Sequence, residues 1–230
     1  MRHIKEFSRF ADVYTRYHTI QKQVAKELVE CLKSEPQHLI DLGCGSGTLY
    51  KELFYKPKSY VGVDLSDEML EHHPKADNIK LLCRSFDELE LFKTLSDTKF
   101  DMLISSSALQ WSKDLAKLFE RIVKLDKPFA ITLFTDNTFK TLHKEAGTRS
   151  PLHSKEMIAD LAKKYFNRDV EFREYILKFE NNRELFKYLK KSGVSGNEVQ
   201  LNYPETKRLL RQYPLDYLEF EVAFIIKESA

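Results

Sequence analysis

The chain has 230 residues, 37 of them basic and 35 acidic, which leaves a formal net charge of +2. Such a balanced charge argues against a nucleic-acid-binding protein that relies on bulk positive potential. The length is typical of one large domain, and three widely spaced cysteines (Cys31, Cys44 and Cys83) indicate neither a disulfide framework nor a metal site. The polar N-terminus and the lack of an 18-residue apolar run predict a cytoplasmic protein without a membrane partner.

Helical and strand-like patterns alternate along the chain. Apolar residues at helical spacing over 21–32 predict an amphipathic N-terminal helix. Strand-like apolar runs occur at 38–43, 60–65, 79–83, 100–106, 128–135, 170–179 and 217–227. Helical stretches between the first five runs predict an α/β fold with a mainly parallel sheet and helices on both faces. The last strand follows the Tyr213-Pro214 turn without a helix-length gap, so we expect seven strands with the last one antiparallel.

A glycine-rich loop follows the first predicted strand. The sequence Asp41-Leu42-Gly43-Cys44-Gly45-Ser46-Gly47 has glycine at every second position, as a loop needs where its backbone approaches a ligand. A dinucleotide-binding loop would place its third glycine at Thr48, and the Asp41 carboxylate suits a cationic amino group better than a pyrophosphate. The pattern therefore indicates S-adenosylmethionine rather than NAD. The candidate contacts are Asp41, Gly43, Cys44, Gly45 and Gly47.

The next two predicted strands add to this candidate cofactor site. Asp64 ends the second strand 17 residues after Gly47, which fits one βαβ unit, and its two carboxylate oxygens suit the two ribose hydroxyls. After the third strand, we expect Phe86 to form an apolar wall beside the adenine. The polar contact with the adenine is open between Ser85 and Asp87.

The fourth predicted strand runs into a polar loop that we expect to face the transferable methyl group. Ser105 and Ser106 end this strand, and Ala108-Leu109-Gln110-Trp111 follows. A purely structural interpretation is the alternative, in which the serines are turn residues and the tryptophan packs in the core.

We expect a single domain over residues 1–230. It divides into an N-terminal helical lid (1–33), a cofactor-binding core (34–135), a cap with a strand insertion (136–212) and the final strand (213–230). The helical and charged parts of 136–212 are expected to cover the carboxyl ends of the strands, where ligands bind in open α/β sheets.

These residues together resemble the class I S-adenosylmethionine-dependent methyltransferases, and among them the malonyl-acyl-carrier-protein O-methyltransferases of biotin synthesis. The resemblance runs nearly from end to end. It is carried by Phe7-Ser8-Arg9-Phe10-Ala11 with Tyr14 and Gln21, the glycine-rich loop, Val63-Asp64-Leu65-Ser66 with Met69, Ala108-Leu109-Gln110-Trp111, Leu189-Lys190-Lys191-Ser192-Gly193 and Tyr213-Pro214-Leu215-Asp216-Tyr217. The chain departs from the family pattern at Ser46, where proline is common, at Ser85, where an acid is frequent, and at Ser106, where asparagine is often found.

The resemblance implies a Rossmann-like class I methyltransferase sheet with a helical cap. It also implies that S-adenosylmethionine esterifies the free carboxylate of a malonyl thioester, carried by a carrier protein or coenzyme A, and leaves as S-adenosylhomocysteine. A carboxylate is already nucleophilic, so positioning and exclusion of water replace a general base. The implied acceptor residues are Tyr14, Gln110, Trp111 and Arg149, whose guanidinium would bind the malonyl carboxylate at two points. The implied cofactor contacts, beyond the loop and Asp64, are Tyr14, Gln21, Leu65, Met69, Ser85, Phe86 and Ser105.

Such a substrate implies an acidic acyl-carrier protein as the partner of a monomeric enzyme. A basic rim would receive this partner, formed by Lys187, Lys190, Lys191, Lys207, Arg208 and Arg211. Two alternatives stay open. One is a methyltransferase for another small carboxylic acid or a quinone-like acceptor, and the other is an S-adenosylmethionine-binding protein without turnover.

Overall fold

Seven strands form one sheet in the computed structural model, which describes residues 18–192 and 203–228. The strands are β1 (His38–Leu42), β2 (Ser59–Asp64), β3 (Ile79–Cys83), β4 (Met102–Ser106), β5 (Phe129–Phe134), β6 (Glu171–Lys178) and β7 (Tyr217–Lys227). The helices are α1 (Thr19–Glu30), α2 (Thr48–Glu52), α3 (Asp67–Glu71), α4 (Leu89–Ser96), α5 (Leu115–Lys124), α6 (Lys140–Ala146), α7 (Lys155–Phe166), α8 (Asn182–Ser192) and α9 (Tyr203–Gln212). A short 3₁₀ helix, Leu109–Trp111, follows β4.

The strand order in the sheet is β3-β2-β1-β4-β5-β7-β6. Strands β1 to β5 pair in parallel, and β7 is antiparallel to both of its neighbours, β5 and β6. The predicted seven-stranded, mostly parallel sheet with an antiparallel last strand is therefore confirmed. The order reverses between β1 and β4, and a crevice opens outside the carboxyl ends of the strands at such a point.

Alternating side chains of the buried strands supply two separate cores. In β1, Leu39 packs into a core with α1, α6, α8 and α9, whereas Ile40 packs on the opposite face with α4, α5 and α7. Period-two alternation with apolar residues on both faces is the pattern of a strand covered by helices on both sides. None of the described helices is long and apolar enough to cross a membrane.

The segment predicted as a cap divides between two locations. Helix α7 contacts α5 and β7, and its Ile158, Ala162 and Phe166 belong to the core on that sheet face. Its apolar side chains are buried against the sheet, so this part of 136–212 is a helix that covers a face of the sheet. Helices α6, α8 and α9 pack together on the opposite face, where α9 contacts both of the others.

Candidate functional site

The glycine-rich loop lies between β1 and α2. Its glycines have a left-handed backbone conformation that residues with a side chain rarely adopt. Gly43 has a φ of +77° and donates from its amide to the carbonyl of Val63, at 2.7 Å. A Cβ atom at Gly43 would lie only 2.2 Å from the Cβ of Ala108. Gly45 has a φ of +51° and donates from its amide to Asp64. The loop therefore follows the sheet edge closely and ties the end of β1 to the end of β2.

Asp64 lies at the end of β2, as predicted, and its carboxylate is hydrogen-bonded to the glycine-rich loop. Its Oδ2 accepts from the Gly45 amide and its Oδ1 from the Ser66 amide, each at 2.9 Å. An ionised carboxylate offers about four acceptor positions, so two remain for a ligand. Burial raises the pKa of Asp64, while the amide hydrogen bonds act in the opposite direction. A pair of ligand hydroxyls would complete its hydrogen bonding.

Asp41 is buried beneath the loop, with 1% of its surface exposed. Its Oδ2 accepts a 2.5 Å hydrogen bond from the hydroxyl of Tyr60, and its Oδ1 has no partner among the described residues. Burial, together with the nearby charge of Asp64, raises the pKa of Asp41 to about 7. An unpaired carboxylate oxygen at this depth is unusual, and a cationic group of a ligand would satisfy it.

A cavity of about 740 Å³ opens over these residues at the carboxyl ends of β1 to β4, a size within the range of small-molecule sites. Most of the residues predicted at the cofactor or the acceptor line it. These are Gln21, Asp41, Gly43, Cys44, Gly45, Asp64, Leu65, Met69, Ser85, Phe86, Gln110 and Trp111. Residues after β1–β3 and residues after β4 therefore line one cavity.

Three predicted site residues lie elsewhere. Ser105 is fully buried, and its hydroxyl donates to the carbonyl of Leu42 at 2.6 Å, so it ties β4 to β1 beneath the cavity. Gly47 is the N-cap of α2 and packs near Pro74 and His73. Arg149 is exposed and does not line the cavity. Tyr14 lies outside the described residues.

Asp87 is one of the two candidates for the polar contact with the adenine, and it has a structural role. Its Oδ1 accepts from the Ser112 hydroxyl at 2.6 Å and its Oδ2 from the Lys113 amide at 3.1 Å. The Ser85 hydroxyl accepts from the Asp87 amide. Asp87 thus joins the loop after β3 to the loop after β4, and both Ser85 and Asp87 line the cavity.

Sequence reasoning missed two polar residues that line the cavity beyond β4 and β5. Ser107 has a φ of +56°, which is rare for serine and turns its side chain out of the strand pattern. His153 reaches the cavity from the segment before α7, and the Asp136 amide donates to its carbonyl at 3.0 Å. A run of three serines does not indicate which of them has a left-handed backbone, so Ser107 could not be singled out. His153 is far from the other site residues in the sequence, and only the fold brings it to the cavity.

The charges around the cavity favour a cationic ligand. Among the described lining residues there are four carboxylates, on Asp41, Asp64, Asp87 and Glu88, and one lysine, Lys113. The unpaired oxygen of Asp41 and the open positions of Asp64 match an ammonium and two ribose hydroxyls. The residues present therefore fit S-adenosylmethionine, which carries a sulfonium, an ammonium and a ribose.

Comparison with known proteins agrees with this geometry. Residues 33–193 match a family model described as a methyltransferase domain. A malonyl-[acyl-carrier protein] O-methyltransferase of Legionella pneumophila is 26% identical over 234 residues, which cover 93% of this chain and 81% of that protein. A protein of the same name from Priestia megaterium is 30% identical over 151 residues, which cover 60% of this chain. That match spans about half of the relative, 53% of its length.

A solved methyltransferase structure has a fold similar to that of this chain. The plantazolicin methyltransferase BamL, in complex with a triazolic desmethylPZN analog and SAH, matches with a TM-score of 0.51 at 16% identity, over 96% of this chain and 89% of that one. The family model covers more than half of the chain, and the sheet order and cavity agree with it. The chain belongs to the methyltransferase domain family and is a class I S-adenosylmethionine-dependent methyltransferase.

Proposed function

We propose that this enzyme esterifies the free carboxylate of a malonyl thioester, carried by an acyl-carrier protein or by coenzyme A, as an early step of biotin synthesis. One observation carries the proposal: the similarity to the Legionella malonyl-[acyl-carrier protein] O-methyltransferase extends over 93% of the chain, so it includes the acceptor side and not only the cofactor loop. We also propose that the enzyme acts as a cytoplasmic monomer.

The cavity suits an acceptor that needs no activation. S-adenosylmethionine supplies a methyl group on a positively charged sulfur. A carboxylate has the electron pair for the attack and releases no proton, so the protein has to hold the two reactants in line and exclude water. The residues after β4, Ser107, Gln110 and Trp111, line the cavity where the acceptor would lie.

Each proposed cofactor contact follows from its place around the cavity. Asp64 would accept from the ribose hydroxyls and Asp41 would face the ammonium group. Apolar surfaces for the adenine come from Leu65, Met69 and Phe86, all of which line the cavity. Gln21 reaches the cavity from α1, and we propose that Tyr14 is a further cofactor contact.

The acceptor is tested with a panel of compounds and S-adenosylmethionine that carries a labelled methyl group. Malonyl-acyl-carrier protein and malonyl-coenzyme A should take up label, whereas acetyl-coenzyme A, which lacks the free carboxylate, should not. Free malonate and a quinol test the alternative acceptors. Label transfer to one of these alone, with neither malonyl thioester methylated, would contradict the proposed substrate.

The affinity for S-adenosylhomocysteine should depend on pH through Asp41. Burial raises the pKa of this carboxyl to about 7 in the free protein. A bound ammonium group favours the ionised form, so binding releases a proton and affinity should fall as the pH drops below about 7, by up to about tenfold per pH unit. Calorimetric titrations at a series of pH values measure this slope.

The matched control for this pH dependence is Asp41→Asn, which keeps the shape of the side chain and removes the titration. It should bind S-adenosylhomocysteine more weakly at pH 8 and with a flatter pH dependence. His73 also faces Tyr60, at 3.5 Å from its hydroxyl, and burial lowers the pKa of this imidazole. An unchanged slope in Asp41→Asn would assign the titration to another group such as His73.

Cationic side chains on α8 and α9 are candidates for docking an acidic carrier protein. Lys207 and Arg211 are exposed on α9, whereas Arg208 donates to the carbonyl of Glu145 at 2.7 Å and Lys187 lies 3.4 Å from Glu184. The side chains of Lys190 and Lys191 lie outside the described residues. Charge reversal is therefore best made at Lys207 and Arg211, because both side chains are exposed.

The double variant Lys207→Glu with Arg211→Glu should raise the KM for malonyl-acyl-carrier protein several-fold and leave the KM for malonyl-coenzyme A nearly unchanged. Rim charges act mainly on association and are screened by salt, so the difference should shrink at high ionic strength. Steady-state kinetics with both substrates measure it. Equal effects on the two substrates would show that these residues do not meet the carrier.

A further inference from the structure

Three polar atoms on the β4 and β5 side of the cavity lack a hydrogen-bond partner among the described residues. They are the hydroxyl of Ser107, Oε1 of Gln110 and Nε2 of His153, and all three atoms are buried. All three residues line the cavity. More than 90% of buried polar groups in native proteins are paired. Three unpaired atoms around one cavity therefore point to a ligand that completes them.

The first two of these atoms are held by the turn after β4. The Ser107 amide donates to the carbonyl of Thr132 at 3.0 Å, which ties the turn to β5. Nε2 of Gln110 donates to the Ser107 carbonyl at 2.7 Å, so its Oε1 is left as a pure acceptor. Gln110 is 5% exposed. This geometry leaves Oε1 of Gln110 to accept a hydrogen bond and the Ser107 hydroxyl to donate or accept one.

His153 is tied to the end of β5, the strand that neighbours β4. Its carbonyl accepts from Asp136, two residues beyond β5, and β5 is paired with β4. On the other side of His153, Ser154 caps α7 and the Lys155 ammonium lies 3.4 Å from the buried Glu221. These contacts hold the segment on both sides of the imidazole.

We infer that Ser107 and His153 donate hydrogen bonds to the carboxylate of the acceptor, while Gln110 accepts from an N–H group on the arm that carries it. This inference rests on the proposed function. Burial lowers the pKa of His153, so the ring is neutral near pH 7 and has one N–H to donate. Ser107 and His153 thus take the role that the family resemblance implied for Arg149, which is exposed and does not line the cavity.

The cofactor itself does not account for these atoms. Its ribose and ammonium partners, Asp64 and Asp41, lie at the ends of β2 and β1, and the adenine surface lies at the end of β3. The three unpaired atoms lie beyond β4 and β5, on the other side of the switch point. Neutral donors also suit this position, since the sulfonium already supplies a positive charge to the acceptor carboxylate.

Binding of malonyl-coenzyme A in the presence of saturating S-adenosylhomocysteine tests the inference without turnover. His153→Leu should weaken this binding about ten- to a hundredfold, whereas His153→Gln, which keeps an N–H donor near Nε2, should remain within a few-fold of wild type. Ser107→Gly keeps the positive φ and removes the hydroxyl, so it should lose affinity. Ser107→Asn tolerates the same φ and restores a donor.

Three further readouts separate this role from others. The affinity for S-adenosylhomocysteine alone, and the melting temperature, should stay near wild type in all four variants. The pH dependence of kcat should be unchanged in His153→Gln. If His153→Gln bound malonyl-coenzyme A normally yet lost kcat, His153 would act in the methyl-transfer step rather than in binding the acceptor, and the inference would be overturned.

The result that overturns the inference alone is wild-type affinity for malonyl-coenzyme A in both His153→Leu and Ser107→Gly, with a wild-type enzyme that methylates malonyl thioesters. Failure of the wild-type protein to bind or methylate any malonyl thioester has a different meaning. It would overturn the proposed function, and the inference with it.

Discussion

Asp64→Asn should weaken the binding of S-adenosylhomocysteine by about 1.5–3 kcal/mol, an order of magnitude or more in Kd. Both carboxylate oxygens of Asp64 accept from backbone amides, of Gly45 and Ser66. An asparagine in the same place has to turn its NH₂ group toward one of these donors. It would lose one loop contact together with the charge that strengthens the bonds to the ribose hydroxyls. Calorimetric titration measures the loss.

Asp67→Asn is the matched control for this prediction. Asp67 lies three residues further on, in the first turn of α3, and is exposed. The control removes an equal charge only three residues from Asp64. The affinity of the Asp67→Asn variant for S-adenosylhomocysteine should change little. Similar losses in the two variants would mean that the effect is long-range electrostatics, and Asp64 would then have no direct contact with the cofactor.

Gly43→Ala should lower the free energy of unfolding by about 2–5 kcal/mol. A left-handed backbone costs a residue with a Cβ about 1–2 kcal/mol, and overpacking a tight contact costs about 1–3 kcal/mol more. The added carbon would lie 2.2 Å from the Cβ of Ala108. The turn after β4 has to move to relieve this contact, so the variant should also bind malonyl-coenzyme A more weakly. Denaturant unfolding measures the first effect.

Gly147→Ala separates the two costs. Gly147 ends α6 with a φ of +64°, close to the +77° of Gly43, and a Cβ atom there would meet nothing within 4 Å. The free energy of unfolding of Gly147→Ala should fall only by the backbone cost of about 1–2 kcal/mol. Equal destabilisation of the two variants would indicate that the contact with Ala108 relaxes freely.

The sheet was predictable because each of its first five strands is an apolar run separated by helical sequence. Leu39 and Ile40 show why such runs are continuous: neighbouring side chains enter different cores, so both positions are apolar. The location of α7 was not predictable in the same way. Its charged residues suggested a cap, but its apolar Ile158, Ala162 and Phe166 are enough to bury one side against the sheet.

The cofactor side of the cavity was also within reach of the sequence. Asp41 and Asp64 lie at the carboxyl ends of β1 and β2, and Gly43 directly follows β1, so their place at the sheet edge depends only on where each strand ends. The acceptor side depends on details that a sequence does not carry. Ser105 and Ser107 are only two residues apart, yet Ser105 is buried with its hydroxyl bonded to the Leu42 carbonyl of β1, whereas Ser107 lines the cavity. That His153 lines the cavity and Arg149 does not depends on how the segment before α7 is tied to β5.

The most direct test of carboxyl methylation is to identify the bond that the transferred methyl group forms. The protein is incubated with malonyl-coenzyme A and S-adenosylmethionine that carries an isotope-labelled methyl group, and the product is examined by nuclear magnetic resonance. We expect a single labelled resonance at the position of a methyl ester, with one equivalent of S-adenosylhomocysteine released per ester. A labelled methyl group bound to carbon or nitrogen, or no transfer to the malonyl thioester, would contradict carboxyl methylation.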